Sequence, residues 1–127
     1  MIKGSVITRY TSDIELHTSY YDNGNRWLER YINIKFYKLH REDGPAEITY
    51  EVSGEVTSKK WYIEGQLHRE DGCAHMLRGF DAGTFISYYF LKDVNYSVGD
   101  FRLYCLASGN IKGLESTFSN NINIKNM

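Results

Sequence analysis

The chain has 127 residues, 42% of them hydrophobic and 24% charged, with a net charge of −1, which predicts one domain with a modest core of its own. Mixed charge signs along the chain argue against bulk electrostatic binding to nucleic acid or an anionic membrane. No apolar run approaches the ~20 residues that span a bilayer, and MIKGSVITRYTSD lacks a signal peptide's apolar stretch and cleavage site, so a cytoplasmic protein away from membranes is expected.

The predicted elements, taken in chain order, are strands. Tyr20-Tyr21 and Trp27-Leu28 flank Asn23-Gly24, the sequence signal of a type I′ hairpin turn. Leu39–Gly44 reads LHREDG. Ile48, Tyr50 and Val52 then alternate with Glu47, Thr49 and Glu51, the period-2 pattern of a half-buried strand. Ser53-Gly54 punctuates the chain, Lys60–Ile63 makes another strand, and Gly65 closes it. LHREDG returns at Leu67–Gly72. Phe85–Leu91 (FISYYFL) is apolar on both faces, so the sheet must fold over it or a partner must cover it. Ser108-Gly109-Asn110 reads as a further hairpin turn, and in the polar tail from Asn120 to Met127, Ile122 and Ile124 suggest a short edge strand.

The two copies of LHREDG begin 28 residues apart, and sliding by that period lays Ala46 on Ala74 and Trp61-Tyr62-Ile63 on Tyr89-Phe90-Leu91. Asn95–Phe101 (NYSVGDF) reads as a decayed copy one period on. Units of approximately 11–38 (degenerate), 39–66, 67–94 and 95–122 (degenerate) follow, with atypical end units as expected of a stack. The expected fold is all-β: an antiparallel meander of stacked β-hairpin repeats, about seven or eight strands with little or no helix. Cys73 and Cys105 fall at different places in different units and are expected to be reduced. Abundant Asn, Ile, Lys, Tyr and Phe, with one Pro, point to a low-GC source such as a bacterium, a phage or a large DNA virus.

Trp61–Gly72 (WYIEGQLHREDG), together with Leu39–Ala46 (LHREDGPA), resembles the MORN-variant repeats of phages, giant viruses and some bacteria. The resemblance implies stacked β-hairpins that serve as a structural or interaction module, with no shared catalytic activity. It covers mainly residues 27–101 and is well matched only at Leu39–Ala46 and Trp61–Ala74. Cys73 stands where the pattern has proline, and Asp93 where it has the hairpin glycine.

Two readings compete for the repeated tetrads His40-Arg41-Glu42-Asp43 and His68-Arg69-Glu70-Asp71. As turns, Asp43-Gly44 and Asp71-Gly72 bind their own backbone, Pro45 fixes the following geometry, the arginines and glutamates pair with neighbouring units, and the histidines pack on an aromatic such as Trp61. As a site, His40, His68, Asp43 and Asp71 would hold a metal for a small hydrolase or nuclease. Identical copies favour the turn, because an acid and a base need different surroundings. His17 and His75 are isolated, and a nucleophile role for Cys73 would need a paired base in a pocket, which no sequence pattern supplies. Trp27, Trp61 and the tyrosines read as core rather than a sugar- or peptide-binding face. The expectation is a non-enzymatic interaction or scaffold module with no cofactor, metal or nucleic acid. It would bind a protein partner or a second copy of itself through the tetrads or Tyr88, and as a phage or viral protein it would work in the host cytoplasm by occluding its target.

Overall fold

The computed structural model describes residues 2–81 and 83–126, with side chains described for residues 4–81 and 83–118. The strands are β1 (Ile2–Arg9), β2 (Ile14–Tyr21), β3 (Arg26–Asn33), β4 (Lys38–Leu39), β5 (Glu47–Tyr50), β6 (Val56–Lys60), β7 (Tyr62–Ile63), β8 (Gln66–Leu67), β9 (His75–Arg78), β10 (Phe85–Leu91) and β11 (Val94–Tyr96). They form an antiparallel nine-stranded sheet in the order β1-β2-β3-β5-β6-β9-β10-β11, with β4 paired to β3, and a separate β7–β8 hairpin. The expected all-β meander is the fold.

Glycine, where it is found at hairpin tips, is there for a reason. Ile63 pairs with Gln66 across Glu64-Gly65, and Leu91 with Val94 across Lys92-Asp93. All four loop residues have positive φ: 51° at Glu64, 81° at Gly65, 48° at Lys92 and 69° at Asp93. That is the type I′ geometry whose twist matches the flanking strands. Asp93 stands in for glycine, a residue type that tolerates the left-handed region, and its Oδ1 accepts the amide of Leu67 from the preceding hairpin at 2.7 Å. Gly65→Ala has no such compensation and is expected to lower stability by about 1–2 kcal/mol, read as a urea-midpoint shift; Asp93→Gly should shift it far less.

The chain's last quarter departs from expectation. Asn95–Phe101 is not another hairpin: after β11 the chain enters α1 (Val98–Ser108) and then α2 (Ile111–Asn126). Ser97 caps α1, its hydroxyl accepting the Asp100 amide at 3.1 Å. Gly109, at φ 71°, ends the helix. Ser108-Gly109-Asn110 is therefore a helix–helix turn rather than a strand hairpin, and Asn110 Oδ1 takes the Gly113 amide at 3.0 Å to start α2. The stretch holding Ile122 and Ile124 is helical, not an edge strand; the tail's side chains lie outside the described residues.

The helices cover the apolar run that had no partner in the sequence. Tyr89 and Leu91 of β10 are buried with Cys73, Phe101 and Cys105, and Met76, Tyr96, Tyr104 and Leu114 pack around them. The Phe101 ring stacks on Tyr89 at 4.6 Å. A second cluster of Ile14, Tyr31 and Ala46, flanked by Leu16, Leu39 and Tyr62, holds the other half of the sheet. The opposite face of β10 stays open, with Ile86 44% and its cross-strand partner Leu77 39% exposed.

Candidate functional site

The two LHREDG loops make the same bonds, displaced by 28 residues. Each leucine carbonyl accepts the amide of the second loop residue of the next hairpin: Gly65 to Leu39 and Asp93 to Leu67, both 2.8 Å. Each histidine Nδ1 accepts the amide of the first: Glu64 to His40 at 2.9 Å and Lys92 to His68 at 3.0 Å. Each arginine amide bonds forward as well, Arg41 to the Tyr62 carbonyl at 3.1 Å and Arg69 to that of Phe90 at 3.2 Å. A type I′ tip leaves two amides without a ladder partner. The Leu-His dipeptide one hairpin earlier satisfies both.

The arginine side chains are equally committed. Arg41 Nε donates to Asp43 at 2.9 Å and Nη1 to the Pro45 carbonyl at 3.1 Å, and the guanidinium lies 4.0 Å from the Tyr31 ring centroid. Arg69 repeats this with Asp71 at 2.9 Å, the Cys73 carbonyl at 3.1 Å and Trp61 at 4.2 Å. The aromatic partner expected for the histidines belongs to the arginines instead. A planar guanidinium suits this because its edge bonds while its face stacks. The carbon of that guanidinium also explains Gly44 and Gly72: a Cβ there would sit 2.8 Å from Arg41 Cζ and 2.9 Å from Arg69 Cζ.

The loops flank one open cleft of about 680 Å³, whose lining includes Trp61, Ile63, Pro45 and Lys112 along with most of both tetrads. His68, Arg69, Glu70 and Asp71 come together there with Arg41, Glu42 and Asp43. His40 lies outside it, in the adjoining depressions. Tyr88 is elsewhere, its ring 5.5 Å from that of His75 on the sheet. Different neighbours brace each loop, and no motif or spacing announces them. Tyr10 donates its hydroxyl to Asp43 at 2.5 Å. On the other side Lys112 pairs with Asp71 at 3.3 Å, and Asn110 Nδ2 reaches the Glu70 carbonyl at 2.6 Å. The α2 backbone comes so close that a Cβ on Gly113 would lie 2.3 Å from the same carbonyl oxygen.

The histidine Nδ1 atoms, arginines and aspartates are engaged; Glu70 Oε1 also accepts the Tyr104 hydroxyl at 3.3 Å, but the glutamates are the more exposed carboxylates. The Glu42 side chain is 84% exposed and that of Glu70 59%. They face His40 Nε2 and His68 Nε2 at 4.0 and 3.5 Å, which fits a proton on Nε2 when Nδ1 accepts. Among the described residues no three His, Cys, Asp or Glu side chains are grouped to hold a metal ion. Both cysteines are buried free thiols; burial pushes Cys73 and Cys105 above the ordinary thiol range, the opposite of what an activated nucleophile requires.

The carboxylates carry a pH prediction. The Tyr10 hydroxyl, then Arg41, hold Asp43 below its ordinary range. At Asp71, burial pushes upward, but the bond and charge of Arg69 and then Lys112 prevail and lower it. Groups depressed in the fold stabilise it above their unfolded value of ~3.9, and that contribution is lost as pH falls through the folded values. His75 acts in the same sense: burial, then Lys60, depress it, so below an unfolded value of ~6.5 the unfolded chain takes up the proton first. Urea midpoints should decline in two steps on acidification. The step below about pH 4 should shrink in the variant Asp43→Asn/Asp71→Asn.

Among the described residues no helix is long and apolar enough to cross a membrane. In comparisons with protein-family models, curated proteins and solved structures, the chain matches none.

Proposed function

We propose that the chain is a non-enzymatic protein-interaction module whose binding surface is the cleft between the two LHREDG loops. The observation that carries the reading is the division of labour inside the tetrads. Histidine, arginine and aspartate are bound to the fold, while the glutamates are the more exposed carboxylate of each loop, beside an open cleft with a tryptophan in its wall. Recognition asks for a rigid rim with exposed charges and an aromatic anchor. The resemblance of the LHREDGPA and WYIEGQ stretches to MORN-variant repeats supports an interaction role and a phage or viral setting, and the residue usage supports a low-GC source, of which phages and large DNA viruses are examples alongside bacteria. In that setting the module would act by covering a host or viral protein. The metal-dependent hydrolase expectation finds no such support, because two of its ligands, His40 and His68, already accept backbone amides through Nδ1.

The test is affinity capture from the native source with the wild-type chain and with Glu42→Lys/Glu70→Lys, after confirming equal melting temperatures. The reading expects partners held by the wild type to be lost from the variant. Identical protein sets on both would contradict it.

A further inference from the structure

Among the three hairpin tips that the 28-residue period aligns, β3–β4, β7–β8 and β10–β11, one is built differently. β7–β8 and β10–β11 close with two loop residues, whereas β3–β4, with Asn33 opposite Lys38, closes with four, Ile34–Tyr37. The two extra residues are not needed to reverse the chain. They place Phe36 at 65% and Tyr37 at 73% exposure, with Lys35 Nζ 5.5 Å from the Phe36 ring. The tip is also fixed: Asn33 Oδ1 accepts the amides of Lys35 at 2.9 Å and Phe36 at 3.1 Å, and the Tyr37 amide bonds the Asn33 carbonyl at 2.7 Å. A pre-ordered, exposed aromatic pair beside a cation loses little entropy on binding.

The complement is on the same molecule. The cleft offers Trp61, Ile63 and Pro45 as apolar wall; its cations Arg41, Arg69 and Lys112 are paired with Asp43 and Asp71, which leaves the exposed Glu42 and Glu70 as the carboxylates without a Lys or Arg partner, and this suits a basic aromatic segment. Phe36 and Glu42 line a common depression, so tip and cleft are neighbours at one end of the sheet. A single two-fold axis then lets each copy give a tip and receive one, a closed arrangement that does not run on into fibres.

From these features we infer that the occupant of the cleft is a second copy of this chain, its Lys35–Tyr37 tip seated between the two LHREDG loops. The inference rests on the cleft being the interaction surface. Lys35 meets Glu42 or Glu70 of the other copy, and the Phe36 and Tyr37 rings cover Trp61 and Pro45. The association weakens as salt rises, since its charges lie at an exposed rim.

Sedimentation velocity of the full chain from micromolar to submillimolar concentration tests it. The wild type is expected to dimerise. Lys35→Glu and, separately, Glu42→Lys/Glu70→Lys should each weaken the dimer at least tenfold with unchanged melting temperatures. Mixing these two variants should restore association, because both tip–cleft pairs in the mixed dimer are again of opposite sign. A wild type monomeric throughout, variants that dimerise as well as it does, or a mixture that stays apart would overturn the inference. A labelled Asn33–Lys38 peptide, followed by anisotropy, separates this failure from that of the interaction reading. Peptide bound by a monomeric chain overturns self-association and keeps the cleft as a binding surface; neither peptide binding nor dimer removes both.

Discussion

Replacing Phe101 by alanine is expected to lower the stability of the chain by about 3–5 kcal/mol, the usual range for deleting a fully buried phenylalanine. Phe101 is 0% exposed, and its ring stacks on Tyr89 in the cluster with Leu91, Cys73 and Cys105. Against the roughly 5–15 kcal/mol that holds an ordinary domain folded, this is a large fraction. The site has little room to collapse: α1 is pinned at Ser97 and Gly109, and α2 is pressed against the Glu70 carbonyl at Gly113. The lost ring should therefore leave a cavity, and the exposed β10 face should bind a hydrophobic dye. Calorimetry and urea denaturation read the first effect and dye fluorescence the second. Leu103→Ala, on the same helix but 64% exposed, serves as the control and should change neither by much.

Arg69→Ala is expected to cost about 2–4 kcal/mol, from a charged hydrogen bond worth roughly 1.5–3 and a stacked cation worth roughly 0.5–2, less what water recovers. It removes the bonds to Asp71 and the Cys73 carbonyl and uncovers Trp61. The conservative Arg69→Lys should recover less than half, because an ammonium cannot bond along an edge and stack on a face together. Circular dichroism in urea is the suitable readout, since Trp61 fluorescence responds to the substitution itself. Glu70→Ala, whose side chain is mostly solvated, should cost far less. Equal losses for the two would mean the arginine is no fastener.

The strands that were readable carry a local signal of their own, which β1 lacks. Glu64-Gly65 marks a tip where positive φ is required, whereas at Asn23-Gly24 only Gly24 has it, so that turn is not the type I′ expected. Glu47–Tyr50 is a strand, but a register shift at Thr49/Tyr50 breaks the expected alternation and buries Glu47 with Tyr50 while Val52 is exposed. The helices were hidden for a physical reason. In α1 the buried positions are Phe101 and Cys105, while Val98, Leu103 and Leu106 face solvent, so no single apolar stripe marks a helix. A signal was present in Ser97-Val98-Gly99-Asp100, a Ser-x-x-Asp start, but its alignment with LHREDG drew it into the hairpin pattern. That alignment is itself informative: Ser97 falls where Arg41 and Arg69 stand, so the stacked arginine gives way to a helix cap and Phe101 covers the next aromatic, Tyr89. Within the tetrads, spacing showed that the residues recur. It did not show that arginine rather than histidine takes the aromatic, nor that Tyr10 and Lys112 arrive from elements outside the pattern.

The central claim is that LHREDG fastens one hairpin to the tip of the next, and the histidine tautomer tests it most directly. Long-range ¹H–¹⁵N correlation of the imidazole rings at neutral pH should show His40 and His68 both in the Nε2–H form, with Nδ1 accepting the Glu64 and Lys92 amides. Alanine at His68 should speed hydrogen exchange at the Lys92 amide while leaving that of Glu64 alone. An Nδ1–H tautomer on either ring, or an Nδ1 free to take up added divalent metal, would contradict the account and make the repeated loops a site rather than a joint.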